Sequence, residues 1–131
     1  MAETNLQLLI KNMQPELNED DYVFCSIENI NDVDTNDMLC IFKEKESITV
    51  ILKKETAESL QLQYSFVASW ITLNVFSSLE ASGFTAAFSK ALADENISCN
   101  VMAAFHHDHI FVNKEDAAKA MTVLKKLAAG I

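Results

Sequence analysis

Residues 69–76 read Ser69-Trp70-Ile71-Thr72-Leu73-Asn74-Val75-Phe76. The stretch alternates in two registers at once and is rich in β-branched and aromatic residues, which predicts a central strand over 70–76. Downstream, Ser77 to Gly83 reads as a polar turn. Thr85 then opens the alanine-rich run Ala86-Ala87-Phe88-Ser89-Lys90-Ala91-Leu92-Ala93, a helix that Asn96 stops. Ile97 to Ala104 is the next strand, His106-His107-Asp108 a turn, Ile110-Phe111-Val112 a short partner strand, and about 114–128 the last helix, with Gly130 placed as a C-cap.

Upstream, Leu6, Leu8, Leu9, Ile10 and Met13 recur at near-helical spacing behind Thr4, a candidate N-cap, and Pro15 blocks continuation, so the first helix is expected at about 4–13. Tyr22-Val23-Phe24-Cys25-Ser26-Ile27 is a short strand, followed by a breaker rich in Asn and Asp up to Asp37. The apolar runs at 38–42 and 48–52, separated by Lys43-Glu44-Lys45-Glu46-Ser47, predict a hairpin, and a short helix is expected at about 54–62.

Composition fits this mixture. The 131 residues are 50% hydrophobic and 22% charged, with mean hydropathy +0.09, which excludes a disordered tail and predicts one compact unit or two very small ones. A chain of this mass exposes about 21,000 Å² unfolded and roughly 7,000 Å² folded, so a core is available without staples. The net charge of −9 repels phosphate backbones and anionic lipid, arguing against nucleic acid and membrane partners. No stretch reaches the ~18 uninterrupted apolar residues of a membrane span, and the first twenty residues lack the pattern of a secretory leader. Cys25, Cys40 and Cys99, odd in number and in apolar stretches, suggest reduced thiols in a cytoplasm.

An internal echo organises the chain. Leu52-Lys53-Lys54-Glu55-Thr56-Ala57 matches Val112-Asn113-Lys114-Glu115-Asp116-Ala117 at constant offset, each time an apolar strand running into a Lys-Glu helix start. This suggests a duplicated βαββαβ unit, with halves 1–66 and 67–131. Two such units need more strands than can be read here. A long apolar strand with an unpaired edge is a hazard, so the halves are expected to exchange strands, or two chains to join edge to edge.

The run from Trp70 to Val112 resembles the bacterial ACT-like proteins that carry two ACT domains in one short chain. Ser77-Ser78-Leu79-Glu80-Ala81, Gly83, Thr85-Ala86-Ala87 and His107-Asp108-His109-Ile110-Phe111-Val112 carry the resemblance, more loosely extended over 22–60. Where relatives tend to read Gly-Tyr-Tyr before His-Asp-His, this chain has Ala104-Phe105-His106. The resemblance implies an α+β, ferredoxin-like fold with antiparallel sheets and helices on one face. It also implies binding of a small amino acid at the joint between two domains; it does not imply an enzyme, and no cofactor is expected.

Read physically, the turn from Ser77 to Thr85 suits a zwitterion. It leads into a helix whose first N–H groups and positive dipole end can receive a carboxylate. Ser77, Ser78 and Thr85 supply hydroxyls, Glu80 can meet an ammonium group, Gly83 permits a positive φ, Leu79 and Phe84 can wall a ligand side chain, and Asn100 on the neighbouring strand can point the same way. The alternative is that Ser77, Ser78 and Thr85 only cap the helix and Phe84 only staples it.

All three histidines fall in His106-His107-Asp108-His109. On an extended strand His107 and His109 share a face, which admits a metal or a pH-sensitive ligand contact beside the plainer reading of turn or interface histidines. A metal-dependent hydrolase on this cluster is the distant alternative. Two glycines leave no phosphate-cradling loop, and no cysteine has a neighbouring histidine. The expected protein is a cytoplasmic, homo-oligomeric, amino-acid-binding regulatory module without catalytic residues. Its rival is a structural or protein-interaction module that has lost the pocket.

Overall fold

A computed structural model describes residues 2–131. The order of elements is α1 (Leu6–Asn12), β1 (Gln14–Leu17), β2 (Tyr22–Ile27), β3 (Met38–Lys43), β4 (Ile48–Lys53), α2 (Lys54–Ser59), β5 (Val67–Asn74), α3 (Phe84–Ala93), β6 (Cys99–Ala103), β7 (Asp108–Asn113) and α4 (Ala117–Ala129). Contacts divide the chain into two compact units, Glu19–Ala68 and the combination of residues up to Asn18 with Ser69–Ile131.

The Glu19–Ala68 unit has strand order β3-β4-β2-β5, with antiparallel ladders β3–β4 and β2–β4; Val67 and Ala68 of β5 pair with Val23 and Tyr22. Alternate residues of β2 and β4, Val23, Cys25 and Ile27 with Val50 and Leu52, form its core with Val33 and Ala57. Two 3-10 turns, Ile30–Asp32 and Thr35–Asp37, stand where a βαββαβ unit has its first helix. The side chains of Asn29 and Asp34 accept the amides of Asn31 and Asn36 at 3.1 and 2.9 Å. Short polar side chains that bond the nearby backbone compete with a continuous helix.

The other unit carries four strands in the order β1-β5-β7-β6, again the ferredoxin-like arrangement. Its fourth strand is β1, whose Gln14, Pro15, Glu16 and Leu17 pair antiparallel with Asn74, Leu73, Thr72 and Ile71. That strand was not expected. Gln14-Pro15-Glu16-Leu17 is short, polar and interrupted by proline, which lacks the N–H of a central strand but is tolerated at an edge. Ile71, Leu73, Ile110 and Val112 point to one face, where they pack with Leu9 of α1, Phe84, Phe88 and Leu92 of α3, and Ala117, Ala120 and Leu124 of α4.

Several boundaries move from their expected places. Asn5 rather than Thr4 caps α1, accepting the Leu8 amide at 3.1 Å. β5 spans Val67–Asn74 rather than 70–76, because the Val75 amide turns back to the Leu73 carbonyl at 2.9 Å and ends the ladder. The repeat falls on equivalent places: β4 runs into α2 at Lys54, β7 runs into a 3-10 turn at Lys114 before α4, and Ala57 and Ala117 are both buried. Gly130 caps α4 at φ +77°.

Candidate functional site

After β5 the chain leaves the sheet through Ser77 and enters α3 at Gly83, whose φ is +92°. Glycine reaches that region without the steric penalty other residues carry. Helix α3 has Gly83 as its N-cap, with no side-chain cap bond among the described residues. Its first helical hydrogen bond runs from the Ala87 amide to the Gly83 carbonyl at 2.9 Å, so the amides of Phe84, Thr85 and Ala86 precede any acceptor in the helix. Gly83, Thr85 and Ala86 are exposed.

The hydroxyls expected at this turn divide between scaffold and surface. Ser77 is buried, and its hydroxyl donates to Asp108 Oδ2 at 3.5 Å. Ser78 Oγ accepts the Glu80 amide at 3.1 Å, while the Ser78 amide donates to the Glu3 carbonyl at 3.0 Å. Glu3 also donates its own amide to the Phe76 carbonyl at 2.8 Å, so the start of the chain lies along this turn. Leu79 (65% exposed), Glu80 and Thr85 face solvent.

Two expected ligand contacts are placed elsewhere. Phe84 is only 3% exposed and meets Phe88 edge-on at 5.1 Å, so its ring belongs to the core and does not wall a surface ligand. Asn100 pairs opposite Phe111, out of phase with the core residues Ile110 and Val112. It therefore sits on the sheet face away from α3, because side chains alternate along a strand.

Beneath the turn lies Asp108, bonded to Ser77. Burial raises its carboxyl above the usual carboxylate range, partly offset by the Ser77 hydrogen bond and the nearby His107. The adjacent histidines are each engaged. His109 Nδ1 lies 3.0 Å from Trp70 Nε1 and 3.2 Å from Thr72 Oγ1, His107 Nδ1 lies 3.3 Å from the Val75 carbonyl, and His106 packs on Phe76 and Phe105 at 5.4 and 5.0 Å. An indole N–H only donates, so the His109 Nδ1 lone pair is already used. Two imidazoles held this way do not converge on one metal, and no group of three or more His, Cys, Asp or Glu among the described residues is placed to hold one. The arrangement does not favour the hydrolase alternative.

The Glu19–Ala68 unit has a groove of about 270 Å³ lined by Asp20, Asp21, Lys53, Lys54, Glu55 and Glu58. Lys53 and Lys54 there already pair with Asp20 and Glu58 at 3.3 and 3.9 Å. Among the described residues no helix is long and apolar enough to cross a membrane.

Residues 1–69 match a family model described as an ACT domain, and residues 65–126 match a second one. Comparison with curated proteins finds no match. Among solved structures, a Vibrio cholerae protein of unknown function, described as a possible transport protein, is 44% identical; the match covers 94% of this chain and 95% of that one, with a TM-score of 0.86. An Agrobacterium tumefaciens protein is 13% identical, with coverage of 88% and 89% and a TM-score of 0.72. The ligand-free regulatory subunit of aspartate kinase from Thermus thermophilus is 9% identical, with coverage of 90% and 97% and a TM-score of 0.65.

Proposed function

The chain belongs to the ACT domain family, and from that premise we propose that it is a non-catalytic regulatory module binding a small molecule of the amino acid class at the turn into α3. The observation that carries this reading is the uncapped, solvent-facing N-terminal end of α3. Its orphan N–H groups and positive dipole end suit a carboxylate.

In this reading the ligand carboxylate takes the amides of Phe84, Thr85 and Ala86, the Thr85 hydroxyl adds a hydrogen bond, and exposed Glu80 meets the ammonium group. Leu79 lies against the ligand side chain. Gly83 lets the backbone turn into the helix, Ser77 and Ser78 hold the loop, and Phe84 anchors α3 to the core. Asn100 takes no part.

We also infer that the sequence halves 1–66 and 67–131 are duplicated units that have exchanged strands, which the pairing of Gln14–Leu17 with Ile71–Asn74 supports. Homodimerisation is supported by β6, which ends the sheet of its unit and carries no charged residue along Cys99–Ala103. A cytoplasmic location accords with the free thiols Cys25, Cys40 and Cys99.

A thermal-shift screen of the twenty amino acids tests the ligand reading. A ligand at 100 times its dissociation constant adds about 2.7 kcal/mol, roughly 10 °C for a chain of this length. If no amino acid moves the midpoint, the rival interaction-module reading takes its place.

A further inference from the structure

The polar group that this binding role leaves unused is the chain of hydrogen bonds around His109, on the sheet face away from the helices. Trp70 Nε1–H donates to His109 Nδ1 at 3.0 Å, and Thr72 Oγ1 lies 3.2 Å from the same nitrogen. Thr72 Oγ1 itself accepts from Asn18 Nδ2 at 3.0 Å, which leaves its hydroxyl proton to point at Nδ1. Asn18 closes the set: its side-chain and backbone N–H groups donate to the Trp70 carbonyl at 3.2 and 2.9 Å. Thus Asn18, the residue after β1, is tied to β5 through the Trp70 carbonyl and through Thr72 Oγ1, the latter also reaching the imidazole.

Two donors converging on Nδ1 fix the ring as the neutral tautomer with its proton on Nε2. A second proton has only Nδ1 to occupy, and there it faces the indole N–H, donor against donor. The Trp70 bond then breaks, and Thr72 must turn its hydroxyl proton away so that Oγ1, with two lone pairs, accepts from Nδ1–H beside Asn18 Nδ2. We propose that His109 is a proton-operated latch: in mildly acidic solution it protonates and releases the Trp70 indole from the sheet face.

The surroundings set where the latch opens. On β5 the ring meets Trp70 and Thr72, and on β6 it is opposite Met102, none of them charged. On its own strand the groups on the same face are His107 and Phe111, with the His107 and His109 rings 6.4 Å apart. On β1, Glu16 pairs opposite Thr72, and its carboxylate is held by Asn74 Nδ2 at 3.0 Å. Burial first, and then the charge of His107, hold His109 below the ordinary imidazole range. The sign follows. A histidine depressed in the folded chain contributes stability that is present at neutral pH and lost as pH falls through its folded value.

Trp70 is the one tryptophan of the chain, so its fluorescence reports this site alone. Titrating the full-length protein from about pH 7.5 to about pH 4.5 is expected to give a single change in Trp70 emission below the ordinary histidine range. His109→Gln, which keeps an acceptor and cannot titrate, should abolish it, and His107→Gln should keep it but move it to higher pH. A flat titration, or a transition that survives His109→Gln or vanishes in His107→Gln, overturns the proposal. Should His109→Gln not fold, the imidazole ¹⁵N shifts of the unaltered protein decide. Nδ1 bare at neutral pH and protonated across the emission change supports the latch; Nδ1 protonated in the neutral ring refutes it.

Discussion

Replacing Gly83 by alanine tests the geometry on which the α3 site depends. At φ +92° an L-residue is held in the left-handed region, at a cost of roughly 1–2 kcal/mol. The added methyl would lie 3.1 Å from Leu6 Cδ2. The tip of Leu6 must turn aside, adding about 0.5 kcal/mol as an off-rotamer shift. The smaller freedom of alanine in the unfolded chain offsets a similar amount. The net expectation is a loss of about 1–2 kcal/mol, or roughly 4–7 °C in Tm for a chain of this length. Thermal and urea melts followed by circular dichroism measure it, with Leu6→Ala as the partner in a double-mutant cycle. The cycle should return a coupling of only about 0.5 kcal/mol, because most of the cost is in the backbone. A Gly83→Ala protein as stable as the parent would refute the positive-φ entry to α3. A coupling as large as the whole loss would assign the effect to crowding alone.

Other variants separate scaffold from surface. Phe88, wholly buried among α1, α3 and α4, should lose about 3–5 kcal/mol on Phe88→Ala, whereas Phe105→Ala, at a ring 69% exposed, should stay within about 0.5 kcal/mol in the same urea melts. Asp108 is raised by burial, so the folded chain holds its proton more tightly than the unfolded one, and stability is lost as pH rises through its folded value. Asp108→Asn should therefore be at least as stable as the parent in urea melts at neutral pH, with the advantage fading as the acid protonates; a clear loss at neutral pH would contradict this. Burial pushes the Cys99 thiol up to about 11. Iodoacetamide at mildly alkaline pH should modify it far more slowly in the folded protein than in urea, as peptide mass spectrometry can follow, because the thiolate is the reacting form.

Much of the fold is readable because burial on one side leaves a period in the sequence. Tyr22–Ile27, the hairpin strands and α4 all announce themselves this way, and the Lys-Glu echo marks where each half turns from strand to helix. β1 is not readable, since Gln14-Pro15-Glu16-Leu17 is a strand only because Ile71–Asn74 offers it a ladder, and nothing local signals that partner. The ends of β5 escape for the same reason: Val67 and Ala68 are drawn in by Val23 and Tyr22, while Val75, as β-prone as its neighbours, turns out of the ladder.

The turn into α3 is legible as a turn because Gly83 is the one residue there that accepts a positive φ freely. What each side chain does in it is decided at long range. Ser77 looks like a ligand hydroxyl until Asp108, 31 residues later, takes its hydrogen bond. Phe84 looks like a pocket wall until Phe88 and the core claim its ring. The pairing of Trp70 with His109 spans 39 residues and two strands, and no local spacing reports it.

The central claim is that the open end of α3 receives a small zwitterion. It is tested most directly by recording ¹H–¹⁵N correlation spectra of the labelled protein while each of the twenty amino acids is added in turn. The account predicts that at least one of them moves the backbone amide signals of Phe84, Thr85 and Ala86 in a saturable way, with Glu80 following. Saturable shifts confined to other parts of the chain, or none with any amino acid, would contradict it.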